Sequence, residues 1–208
     1  MSNLKDAGAF EDTFFTISKP CEGLFKERNS KFYYFAFPVK SEDDIREHLA
    51  KLRKTYFDAR HHCFAWVLGK DGDHFRSFDD GEPNHSAGDP ILGQIRSKGL
   101  TNSLIVVVRY FGGTKLGMGG LIQAYKKAAA LAIEESEIIE QQVKSEVEIR
   151  FPYASMNEVM KLVKSYELQI LSQEMNLDCK MQMEFREGIK ETVLTGLTDV
   201  KGLDLISS

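Results

Sequence analysis

Five glycines, Gly112, Gly113, Gly117, Gly119 and Gly120, fall within nine residues of this chain. The β-branched run at 104–108 comes before them, and a helical pattern over 121–135 follows. A strand, a glycine-rich turn and then a helix aims backbone N–H groups at an anion. Glycine permits positive φ and lets a ligand approach the backbone closely. At the expected helix start stands glycine, not Ser, Thr, Asp or Asn, so no side chain is on hand to satisfy the first amides. Lys115 adds a full charge to the loop, and the competing explanation is a tight turn packed against another backbone. No GxxxxGK[ST] is present, and GxGxxG fails because Ile122 holds its last position; neither a P-loop nor a dinucleotide site is therefore expected.

Charge is segregated around this loop. Residues 90–130 contain Arg96, Lys98, Arg109, Lys115, Lys126 and Lys127 and no Asp or Glu. Residues 140–208 carry eight Lys and Arg against twelve Asp and Glu, which is the whole net charge of −4. The acidic average disfavours a dedicated nucleic-acid binder, whereas the local excess is a footprint for an anionic partner. No apolar run reaches the ~20 residues of a membrane span, and the acidic N-terminus lacks the apolar core of a signal peptide. Three widely spaced cysteines argue against a disulfide framework and for a reducing cytoplasm.

Two domains are expected, 1–139 and 140–208. In the first, residues 13–39 read as a hairpin around the polar turn KERNSK. Ser41 caps a helix with Ile45, Leu49, Leu52 and Tyr56 on one face. HCFAWVLG is a strand, residues 75–78 a short one, DDGEPNHSAGDP a loop, and 91–95 a short helix. The second domain reads as βαββαβ: strand 143–151, helix 153–166, strands 168–175 and 177–185, helix 187–197 and strand 203–206. That order predicts a ferredoxin-like fold.

Besides the glycine loop, two clusters could carry chemistry. ARHHC places His61 and Cys63 on one strand face and His62 on the other, but no orienting third group is evident and a buried structural thiol is the commoner outcome. The turn DDGEP supplies Asp79, Asp80 and Glu82, with His85 and Ser86 close behind. These carboxylates could hold Mg²⁺ beside a phosphate, or serve turn chemistry alone. Without CxxC, HxxxH or HExxH no metal is expected, and neither a cofactor nor a catalytic residue is assigned.

Taken together, DARHHCFAW, FDDGEPNHSAGDPIL and VVVRYFGGTKLGMGGLIQAY resemble, in order and spacing, the YigZ/IMPACT family. The likeness covers about residues 13–135, and the remainder is similar to the small C-terminal domain of the family's bacterial members. The resemblance implies an α+β fold. Its first domain would be like the second domain of a small-subunit ribosomal protein, a sheet with helices on one face, a fold also found in elongation factor G and small-molecule kinases. Its second domain would be ferredoxin-like. Eukaryotic relatives are translational regulators, acting through an added N-terminal domain. Two departures stand out: DDGEPNHSAG replaces the usual DDGEPSGTAG, which puts His85 for glycine and Ser86 for threonine, and Gln123 takes the place of an arginine.

A translation-linked, non-catalytic module that binds RNA or a ribosome-associated partner is therefore expected. Its anion site would comprise Arg109, Gly112, Gly113, Lys115, Gly117, Gly119, Gly120, Lys98 and Lys126, with His61, Asp79, Asp80, Glu82, His85 and Ser86 lining the same surface. Two alternatives stay open: a nucleotide or sugar-phosphate enzyme of small-molecule-kinase-like fold, and a protein-interaction adaptor. Arg109, at a strand end, could instead pair with Asp79 or Asp80 and clamp the motifs together. Gly113→Val and Gly119→Val are expected to harm the protein more than Gly72→Val.

Overall fold

The protein is described from a computed structural model over residues 12–207. Its mixed α+β chain divides into two compact units: one spans Phe14–Gln141, and the other runs from Gln142 onward and includes Asp12 and Thr13.

The first unit is built on a five-stranded antiparallel sheet of order β2-β3-β6-β4-β5, with β2 Cys21–Glu27, β3 Ser30–Pro38, β4 His61–Leu68, β5 His74–Phe78 and β6 Ser103–Tyr110. The central strand β6 is buried on both faces, as its unbroken LIVVV demands. On one face Cys63, Ala65, Val67, Ile105 and Val107 pack beneath α2 (Gly88–Ser97) and α3 (Gly117–Glu134). On the other, Phe64, Trp66, Leu104 and Val106 pack with Ile45 and Leu52 of α1 (Glu42–Thr55). Helices thus cover both faces, not the single face that the resemblance implied. The capping signal at Ser41 is used in full: its Oγ accepts from the Asp44 N–H, while Asp44 accepts from the Ser41 N–H.

The 13–39 hairpin is shorter than the sequence indicated. β2 and β3 close around Arg28 and Asn29, both at positive φ, the pair of left-handed residues a two-residue turn requires. The segment before Pro20 does not join them. It forms β1 (Thr13–Ile17), which pairs instead with β7 (Ile138–Gln142).

The second unit orders β8 (Lys144–Pro152), α4 (Met156–Ser165), β9 (Gln169–Glu174), β10 (Asp178–Arg186), α5 (Lys190–Thr198) and β11 (Asp204–Ser207) as βαββαβ. Its sheet order, β11-β8-β10-β9, is that of a ferredoxin-like fold. Val147, Ile149, Phe151, Met181 and Met183 face Val159, Val163, Val193 and Leu197 of the helices. The alternating residues Lys144, Glu146 and Glu184 stay on the other face, where Lys144 and Glu184 pair. Asp12 takes two hydrogen bonds from the Arg186 guanidinium, which holds its carboxyl below the usual range.

Candidate functional site

ARHHC, DDGEP and the glycine loop meet at one end of the five-stranded sheet. His61 opens β4 directly opposite Arg109 near the end of β6, and Asp79 follows β5 at the same end. Helices α2 and α3 both begin there.

The carboxylates at this junction are engaged. Asp79 Oδ1 accepts from the N–H groups of Ala87 (2.9 Å) and Gly88 (2.8 Å), and its Oδ2 from that of His85 (2.9 Å). It thereby caps α2 from outside the helix. Asp80 accepts from the His62 N–H (2.7 Å) and from Arg53 of α1 (3.1 Å), while its carbonyl takes the His61 Nδ1–H (2.9 Å). These bonds occupy the oxygens that a Mg²⁺-assisted enzyme would need, and no metal-binding group of three His, Cys, Asp or Glu exists among the described residues.

Glu82 is the deepest of the acids. Its Oε1 accepts from Arg109 at 2.6 Å and from the Tyr125 hydroxyl at 2.8 Å, with the Arg109 and Glu82 side chains only 6% and 4% exposed. Arg109 therefore does clamp the motifs, but through Glu82 and not Asp79 or Asp80. Its charge is neutralised inside the protein, a correction to its expected role as an open anion ligand. The Cys63 thiol donates to the Asp79 carbonyl (2.9 Å) and lies 3.3 Å from the Tyr125 hydroxyl. Burial pushes that thiol well above its ordinary pKa, so it stays protonated and structural. Ser86 is buried and donates to the Pro83 carbonyl at 2.6 Å. Tyr125 and Ser30, which accepts from the Gly112 N–H at 3.2 Å, are polar partners that the motifs do not mark; a Tyr on an otherwise aliphatic helix face is their one signal in the sequence.

The glycine loop is open where the junction is closed. Gly113 (φ 86°) and Gly117 (φ 71°) are left-handed, and a Cβ at Gly113, Gly117 or Gly119 would meet nothing within 4 Å. Unlike α2, which Asp79 caps, α3 has no side-chain cap among the described residues and no acid in its first turn. Lys115 is exposed and has no ion pair among the described residues. Lys126 is exposed farther along α3, and Lys127 lines a groove of about 310 Å³ with Arg28, Leu116, Gly120 and Gln123. Lys98 is the residue the structure separates from this set. It closes the C-terminal end of α2, roughly 15 Å of helix from the Asp79 cap. Arg96 is likewise diverted, lying 3.8 Å over the Phe75 ring.

His85, where the resemblance implies glycine, adopts φ 64° and pairs with Asp89 at 2.6 Å. The hydrogen bond to Asp89 raises the pKa of His85. That pairing stabilises the fold fully below the unfolded histidine pKa and is lost as pH rises through the raised value. His85→Gly relieves the left-handed strain. It is therefore expected to raise the melting temperature, and by more at about pH 9 than at about pH 5.5. Thermal denaturation at the two pH values checks this, and an equal or reversed effect contradicts it.

A family profile described as the Impact N-terminal domain matches residues 28–133. An IMPACT family member of Haemophilus influenzae is 32% identical over 85% of this chain and 87% of its own length. The IMPACT family member YvyE of Bacillus subtilis is 29% identical over 86% and 82%. A crystal structure described as that of a hypothetical protein superposes with a TM-score of 0.73 at 24% identity, covering 95% of this chain and 98% of its own, a likeness of fold.

Proposed function

This chain belongs to the IMPACT family, and from that premise we propose that it is a translation-linked, non-catalytic binding protein whose glycine-rich loop holds RNA phosphate. The link to translation comes from the family's regulatory relatives. The RNA reading rests on one observation: of two helices that start at the same end of the sheet, α2 is capped by Asp79 and α3 is left open behind Gly113 and Gly117, with Lys115 beside it. Uncapped amides and an exposed ammonium favour a phosphate oxygen. Lys126 and Lys127 extend the positive charge along α3. The carboxylates and thiol nearby are committed to holding the motifs together, which favours binding over catalysis.

Fluorescence anisotropy with a labelled single-stranded RNA tests the reading. Affinity is expected to fall steeply with salt. Lys115→Ala/Lys126→Ala is expected to weaken binding about tenfold, ~1.4 kcal/mol, without changing the unfolding midpoint. No binding at low salt, or binding indifferent to salt and to both lysines, removes RNA as the ligand and leaves a ribosome-associated protein as the partner to seek.

A further inference from the structure

The end of the sheet beside the glycine loop displays aromatic surface: Tyr33, Tyr56 and Tyr110 are only partly buried against the core, and Phe111 is exposed with the Arg109 guanidinium 5.7 Å from its ring centre. The Tyr110 hydroxyl donates to Asp58 Oδ1 at 2.5 Å, tying the end of β6 to the turn after α1. Each partner of this bond has an exposed phenylalanine as its chain neighbour, Phe111 (55% exposed) and Phe57 (83%). A cleft of about 380 Å³ against Tyr110 and Phe111 is walled by Arg60, His61 and Arg109. A second, of about 320 Å³ against the same two rings, is walled by Lys31, Tyr33 and Tyr56. Both lie at the small end of ligand-sized clefts.

Rings combined with unpaired cations give these clefts their chemistry. Arg60 and Lys31 form no ion pair among the described residues, while the one carboxylate shared by both clefts, Asp58, is engaged by Tyr110. In the first cleft His61 donates through Nδ1 to the Asp80 carbonyl, which leaves Nε2 as an acceptor in the neutral ring. Arg109 is paired with Glu82, although its buried Nε has no hydrogen-bond partner among the described residues. An apolar peptide would cover the phenylalanines but leave Arg60 and Lys31 unmatched, whereas an unpaired nucleotide offers a ring face and a charge together.

We propose that the two clefts beside Tyr110 and Phe111 form a stacking platform for unpaired bases of single-stranded RNA. The proposal rests on the RNA reading above and adds which form of RNA is taken and which residues select it. Bases inside a duplex are stacked on one another and cannot lie on Phe111. Base–aromatic stacking tolerates any sequence, so the selection is for strandedness.

Anisotropy titrations of the full chain at one low salt concentration test it with three probes: a single-stranded RNA of about twelve nucleotides, the same backbone with abasic residues, and a duplex of equal length. The wild type is expected to bind the base-bearing single strand most tightly. Phe111→Ala is expected to weaken that binding about tenfold and to leave the abasic strand unaffected. Because the ring is more than half exposed, the unfolding midpoint should move little, and Phe111→Leu, which keeps an apolar side chain without a ring face, supplies a second variant. Equal wild-type affinity for base-bearing and abasic strands overturns the platform while leaving a charge-based RNA site in place. Unchanged RNA affinity in both the Phe111→Ala and Phe111→Leu proteins also overturns it and assigns the ring to a protein contact. Binding of none of the three probes overturns both readings.

Discussion

Replacing Arg109 by alanine is expected to remove about 3–5 kcal/mol of folding stability, out of the ~5–15 kcal/mol typical of a domain. The cost comes less from the lost attraction than from what remains. Glu82, 4% exposed, would be left in the interior with, among the described residues, only the Tyr125 hydroxyl as its partner. Glu82→Gln is expected to cost less, because the amide oxygen still accepts from Tyr125. The double variant Arg109→Met/Glu82→Gln should lose less than the two single changes combined, since neither buried charge is left alone. Urea denaturation followed by the fluorescence of Trp66, the chain's single tryptophan and buried in β4, reads this unit directly. A midpoint for Arg109→Ala equal to that of the wild type would mean that the pair contributes nothing. Loss of RNA binding in an Arg109 variant therefore cannot be assigned to lost phosphate contact, which is why Lys115 and Lys126 carry that test.

What the sequence disclosed depended on whether its signal was local. The change from the β-branched run at 104–108 to helical spacing after Gly120 located β6 and α3 because both periods lie within a few turns of chain. The second unit was legible for the same reason: Lys144, Glu146 and Glu148 alternate with Ser145, Val147 and Ile149, so its strands announce one wet and one dry face. Pairing of β1 with β7 joins segments from opposite ends of their unit, and no turn residue marks it. The covering of both sheet faces did have a signal. HCFAWVL and FYYFAF are apolar without alternation, which a sheet with one exposed face does not require. In the site, residue types marked the motifs, but partners depended on backbone turns. Asp80 (φ 42°) and Gly81 (φ 83°) swing the chain so that Glu82, not either aspartate, reaches Arg109. Lys98 lies near the loop in sequence, yet one helix length carries it to the other end.

Gly112→Ala is expected to be the most damaging of the loop substitutions, costing about 3 kcal/mol or more. A Cβ there would sit 2.0 Å from the Asn29 carbonyl carbon and 2.3 Å from the Ser30 nitrogen. Both atoms are backbone in the β2–β3 turn, so no rotamer change relieves the clash. Gly113→Ala and Gly117→Ala face no neighbour and carry only the left-handed penalty, roughly 1–2 kcal/mol each. Gly119 has neither a clash nor a positive φ. Of the expectation that its replacement harms folding or binding, only the folding half is thereby corrected, and Gly119→Ala in the first turn of α3 should be neutral or stabilising by up to ~1 kcal/mol. This series separates the two explanations of the glycine cluster. Close packing accounts for Gly112 and, more mildly, for Gly120, where a Cβ would sit 3.1 Å from the Leu116 Cβ. If the remaining glycines keep the start of α3 clear for a phosphate, Gly119→Val should lower RNA affinity while urea unfolding shows an intact unit. Undiminished RNA binding by folded Gly119→Val would mean that the open amides of α3 are not where the phosphate lies.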